Sequence, residues 1–159
     1  MIQVLPLLAA LVFQTAPKDI KVEGAVAKPG KWTVERISTD LQADLKPIEY
    51  DLKGKHHTAK GVPLRRLVEV STPKFDEKIK NHKIRFAVLA MGRDGYAATF
   101  SWGELVSDYG KTDAWVITEE DGALLAADAA PLSLVVPSDT KPSRWVHGLA
   151  KIKVVDLRA

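Results

Sequence analysis

The sequence predicts an α+β fold with mixed β-sheets and a few short helices. Many short runs either alternate apolar with polar residues or are wholly apolar, the marks of strands. Only three or four segments show helical spacing, and each is short. The order is not a βαβα alternation, which argues against a doubly wound parallel sheet. No linker interrupts the chain, so one domain is expected over residues 19–159.

Residues 19–26 alternate. Ile20, Val22, Gly24 and Val26 share one face, with Asp19, Lys21, Glu23 and Ala25 on the other, so a strand is expected. Residues 28–31 (Lys-Pro-Gly-Lys) have the chemistry of a turn. Thr33 can cap a short helix that aligns Val34, Ile37 and Leu41. Lys46–Leu52 reads as a strand, placed at an edge or a strand start by Pro47. Residues 54–61 read as a polar loop carrying His56 and His57. Pro63 suits the first turn of a second helix, which turns Leu64, Leu67 and Val68 inward and ends at Thr72-Pro73.

Residues 84–91 are apolar and β-rich, a buried strand. The turn 92–95 returns it through residues 96–100, with Asp94-Gly95 as the hairpin signal. Ser101 can cap a helix holding Trp102, Leu105 and Val106. Further strands are expected at residues 113–118, 132–136 and 151–157, with a turn at 119–122 and a short helix or turn at 143–149.

The 159 residues suffice for a sizeable core. Net charge is +3 with no Lys/Arg run, so no nucleic-acid partner is expected. The sequence has no cysteine, which excludes disulfides, thiolate metal ligands and thiol catalysis from it. Residues 1–13 form an almost wholly apolar run too short to span a bilayer but of signal-peptide core length. No Lys or Arg precedes it, and Gln14 and Pro17 make a cut after Ala16 awkward. Export, periplasmic or secreted, with residues 1–16 as leader is the expectation. The alternative is a buried N-terminal element in a cytoplasmic protein, and neither reading includes an integral membrane span.

Several segments, in order, resemble one family. They are residues 61–67 (Gly-Val-Pro-Leu-Arg-Arg-Leu), 93–101 (around Asp94-Gly95-Tyr96), 121–125 (Asp-Gly-Ala-Leu-Leu), 130–137 (closing on Pro137) and 144–152 (Arg-Trp-Val-His-Gly-Leu-Ala-Lys-Ile). The set is similar to the oxidoreductase molybdopterin-binding domain family, which includes sulfite oxidase and its bacterial periplasmic relatives. The resemblance implies a mixed α+β fold with a cofactor cleft and names molybdopterin as the candidate cofactor. In catalytic members a protein cysteine adds a sulfur ligand to molybdenum, at the end of the strand before the Gly-Val-x-Leu segment. Here that region, residues 48–55, has no cysteine, so sulfite-oxidase-type catalysis is not expected.

Lys141, Ser143, Arg144 and His147 are the leading candidate cofactor-binding residues. Cationic side chains, a hydroxyl and backbone N–H groups near a helix start can cradle a phosphate. The resemblance adds that Lys141 and Arg144 fall on the basic positions of the family's pterin-phosphate segment. The plainer reading is a basic surface turn with Trp145 packed in the core. His56 is the second candidate, able to meet an anion when protonated. Residues His56 and His57 are adjacent and, on a strand, would face opposite ways. Arg93, Asp94 and Tyr96 shape a turn, and Arg65 and Arg66 read as a solvated helix face.

No catalytic residue and no metal ligand is assigned. The expected partner is a pterin or another anionic small molecule. Two alternatives stay open. One is a molybdenum-dependent oxidoreductase with non-cysteine ligation, through the dithiolene alone or with Asp51. The other is an interaction module whose cleft is filled by Trp145 or Tyr96.

Overall fold

The computed structural model describes residues 17–158, so the expected leader lies outside the described residues. Among the described residues, ten strands and three short α-helices make two sheets around one core. In chain order they are β1 (Ile20–Gly24), β2 (Gly30–Trp32), α1 (Val34–Asp40), β3 (Lys46–Leu52), β4 (Lys55–Pro63) and α2 (Leu64–Val70). Then come β5 (Phe86–Gly92), β6 (Ala97–Ser101), α3 (Trp102–Leu105), β7 (Trp115–Glu120), β8 (Ala123–Leu124), β9 (Ser133–Val135) and β10 (Leu149–Asp156). The α+β expectation is met.

The first sheet runs β2-β1-β10-β5-β6, with β1 and β10 parallel and the other pairs antiparallel. Ile20, Val22, Val88, Phe100, Ile152 and Val154 point from it into the core. Its first and last long strands close tightly at Gly24. There φ is +94°, and a Cβ would lie 2.1 Å from the Val154 carbonyl oxygen, so only glycine fits. The second sheet runs β3-β4-β7-β8, and β9 also pairs with β7. No described helix is long and apolar enough to cross a membrane.

Local chemistry sets the helix ends. The Thr33 hydroxyl accepts the Arg36 N–H at 3.1 Å, and Ile37 and Leu41 are buried as the spacing predicts. Leu64, Leu67 and Val68 are fully buried on α2, with Pro63 at its N-cap. Ser101 and Glu104 form a reciprocal capping box on α3, which stops after one turn and leaves Val106 outside.

Several boundaries differ from expectation. The expected loop 54–61 is strand β4, because Lys53 and Gly54, with φ of 52° and 76°, make a two-residue hairpin turn that returns the chain at once. The expected turn 28–31 gives up Gly30 and Lys31 to β2, which hydrogen-bonds to β1. Ile84 is not in the buried strand. It sits in a 3₁₀ turn, His82–Arg85, and is 44% exposed. The strand expected at 113–118 is β7 and extends through Glu119 and Glu120, leaving Asp121-Gly122 as the turn before β8. Tyr96 precedes β6 rather than opening it. In the last segment, helical geometry is confined to a 3₁₀ turn, Pro142–Arg144, and β10 starts at Leu149.

Candidate functional site

The β3–β4 hairpin decides which polar residues face inward. Residues opposite one another in an antiparallel pair lie on the same face, and neighbours along a strand lie on opposite faces. Tyr50 pairs with His57, and Asp51 pairs with His56. Tyr50 is buried, so His57 goes in with it while Asp51 and His56 face out. The ring of His57 stacks on Tyr50 with centroids 5.6 Å apart. Its Nδ1 meets the Asp121 carboxylate at 3.0 Å, and the Tyr50 hydroxyl donates to Glu120. Burial first, then the Glu120 carboxylate, pushes the Tyr50 pKa far up, so the hydroxyl stays protonated. Asp121 is held below the usual carboxylate range first by the Thr58 N–H, with His57 adding to it.

Beside this chain of contacts lies an open cleft of about 250 Å³. Its apolar part includes Leu52, Ile117, Leu125 and Val135, and Tyr50 and Trp145 meet edge to face in it at 4.9 Å. Glu120, Asp128 and His147 supply its ionisable groups. The Trp145 indole N–H donates to the Val136 carbonyl at 3.1 Å, which fixes the ring. Arg93 holds the loop that carries Asp128, donating 2.9 Å bonds to the Ala127 and Asp128 carbonyls. A larger groove, about 550 Å³, has mainly apolar walls, Leu124 and Pro131 among them, with Lys18, Thr33, Glu35 and Thr118 also lining it.

The expected binding residues separate. His147 is exposed and lines the cleft. Arg144 points elsewhere. Its Nε and Nη2 donate to Asp139 at 2.8 and 2.6 Å, its Nη1 donates to Glu104 at 2.5 Å, and its guanidinium lies 4.8 Å from the Phe100 ring centre. Asp139 first, with Glu104, raises its pKa further. Lys141 and Ser143 are exposed on the turn that leads into Arg144, and the Ser143 carbonyl accepts from the Tyr96 hydroxyl. His56 lies on the outer face, 2.9 Å from Asp51 and 3.9 Å from Glu49. Tyr96 is 48% exposed and is not a cleft residue, whereas Trp145 is. Sequence reasoning missed Tyr50, His57, Glu120 and Asp128 as cleft-side groups. The one signal for His57 was that adjacent strand residues face opposite ways.

Comparison with known proteins returns a likeness of fold. The sulfane dehydrogenase SoxCD from Paracoccus pantotrophus superposes with a TM-score of 0.62 at 18% sequence identity, covering 87% of this chain. This chain spans only 38% of the length of that one. No family model matches the chain, and no curated protein matches it. At this identity the likeness speaks for the fold alone, a distant molybdopterin-domain-like one.

The residues present do not fit a molybdenum centre completed by a protein thiolate. The sequence has no cysteine, and the cleft offers carboxylates and an imidazole, donors for harder ions. Asp51, the candidate oxygen ligand, is bonded to His56 on the outer face and does not line the cleft.

Proposed function

We propose that this chain is a small-molecule-binding domain on a molybdopterin-domain-like scaffold, without sulfite-oxidase-type catalysis. One observation carries the reading: the cleft is open and aromatic, and beside the Tyr50 and Ser133 hydroxyls its polar side chains are two carboxylates and one imidazole, with no sulfur. A flat heterocycle such as a pterin suits these walls. Its faces can pack on aromatic side chains, and its N–H edge can donate to Glu120 and Asp128. An anionic tail would be repelled by those carboxylates and would reach for Lys141, Ser143 and His147 instead. Arg144 is not part of this anion subsite, because its donors are already engaged. The almost wholly apolar run of residues 1–13 supports export as the setting of this function.

The test is a fluorescence titration of the full chain with two pterins, one bearing a phosphate and one without. Both are expected to bind saturably. Asp128→Asn is expected to weaken both, and Lys141→Ala only the phosphorylated one. No saturable binding of either pterin up to millimolar concentration would defeat the proposal and leave the filled-cleft interaction module.

A further inference from the structure

We propose that His57, Glu120 and Asp121 bind one divalent transition-metal ion of the zinc class at the seam of β4 and β7. The site shares Glu120 with the cleft, but its case does not rest on the pterin reading.

The fold brings the three residues together from distant positions. His57 lies on the inner face of β4, Glu120 ends β7, and Asp121 opens the two-residue turn into β8. Asp121 has φ of 50°, and its two carboxylate oxygens reach the Thr58 N–H at 3.1 Å and His57 Nδ1 at 3.0 Å. One donor atom from each residue lies within 4.8 Å of the others. Two ligands on a tetrahedral zinc ion, with bonds of ~2.0–2.1 Å, sit roughly 3.3 Å apart. The His57–Asp121 contact is already near that separation, so an ion could enter with small shifts.

The donor chemistry selects the ion. One imidazole and two carboxylates suit Zn²⁺ and its first-row neighbours, whereas Ca²⁺ and Mg²⁺ want oxygen alone. The two carboxylate charges balance a divalent ion. The surroundings hold the ligands as an outer shell does. Tyr50 stacks on the His57 ring and donates to Glu120, and the Thr58 N–H fixes Asp121. The cation near Asp121 is the Lys55 ammonium, 3.6 Å away on a side chain that is 71% exposed. Such an exposed pair is weak, and a divalent ion can displace it. Three protein ligands leave a coordination position for water or a ligand atom. Glu120 also lines the cleft, so that position adjoins the cavity.

The experiment uses untagged, chelator-stripped full chain titrated with Zn²⁺ by calorimetry and with Co²⁺ by visible absorption. One ion per chain is expected, with ligand-field bands for Co²⁺. His57→Gln, Glu120→Gln and Asp121→Asn are each expected to weaken binding by at least about tenfold, and Tyr50→Phe by roughly tenfold. His56→Gln is expected to change nothing, since its imidazole is on the other face. Circular dichroism checks that each variant is folded. In the unmodified chain, NMR should show the His57 imidazole moving on zinc addition while His56 stays still, a readout that needs no variant. Absence of saturable binding, binding that survives His57→Gln, or a response centred on His56 would overturn the proposal.

Discussion

Replacing Arg144 with methionine tests whether this residue holds the fold together or waits for a ligand. The structure makes it a clamp. Its guanidinium joins Asp139, in the segment after β9, to Glu104 on α3, and packs over Phe100 on β6. The side chain of Arg144 is 33% exposed, and those of Glu104 and Asp139 are 30% and 16% exposed. Hydrogen bonds to charged groups contribute about 1.5–3 kcal/mol each, but partial exposure screens them and the three here are not additive. A loss of about 2–3 kcal/mol is expected for Arg144→Met, or roughly 4–12 °C in Tm for a domain of this size. Arg144→Lys should recover little, because an ammonium cannot present a fork to two carboxylates. The difference should depend on pH. Burial opposes ionisation of Glu104, but Arg144 and the Ser101 donors outweigh it and hold its carboxyl below the usual range. A carboxyl lowered on folding contributes stability that is present above its unfolded pKa, about 4.3, and is lost as pH falls through the folded value. The Glu104 share of the gap between the original chain and Arg144→Met should therefore shrink between pH 5 and pH 3. Urea unfolding at pH 7 and pH 3 reads both quantities. Stability within about 0.5 kcal/mol of the original at pH 7, or a gap that does not change with pH, would refute the clamp.

Two glycines separate close approach from backbone conformation. Gly24→Ala should cost about 2–4 kcal/mol, since its Cβ would collide with the Val154 carbonyl at a positive φ. Gly54→Ala should cost only about 1–2 kcal/mol, because its φ is positive but nothing lies within 4 Å. Equal losses by urea unfolding would argue against the tight β1–β10 closure. Removing the capping box with Ser101→Ala should cost about 1 kcal/mol by the same measurement, and no loss would mean that α3 is held by Trp102 and Leu105 alone.

The parts of the fold that were legible were those set by local chemistry. Lys46–Leu52 is a strand with the expected bounds, and its edge position accommodates Pro47, whose missing N–H would break an inner ladder. The caps at Thr33 and Ser101 and the Asp94-Gly95 hairpin follow from side-chain oxygens and a positive φ at Gly95. Strand β4 was hidden for a physical reason. Its inward residues begin with His57, Ala59 and Gly61 rather than large apolar side chains, so the alternation is present but faint. Its turn also places lysine at positive φ, where glycine or asparagine is the usual marker. The site was less legible still. Tyr50 and Glu120 are 70 residues apart, and His57 and Asp121 are 64 apart, so only register across β3, β4 and β7 brings them together. Arg144 stood out in the sequence, but Glu104, 40 residues away, did not announce itself as its partner.

That register also explains why a basic sequence can carry an acid-lined cleft. The net charge of +3 is spread over the surface, with lysines such as Lys46, Lys55 and Lys60 on exposed positions of the hairpin. The strand parity that sends Asp51, His56 and Lys60 outward sends Tyr50 and His57 inward, next to Glu120. Charges beyond a Debye length of about 8–10 Å are largely screened, so a ligand in the cleft responds to Glu120, Asp128 and His147 more than to the molecule's total charge. Arg144, the basic residue best placed in sequence to reverse this, spends its donors on Asp139 and Glu104. A phosphate alone therefore has little reason to enter the cleft, whereas an N–H-rich ring can donate to the carboxylates that line it.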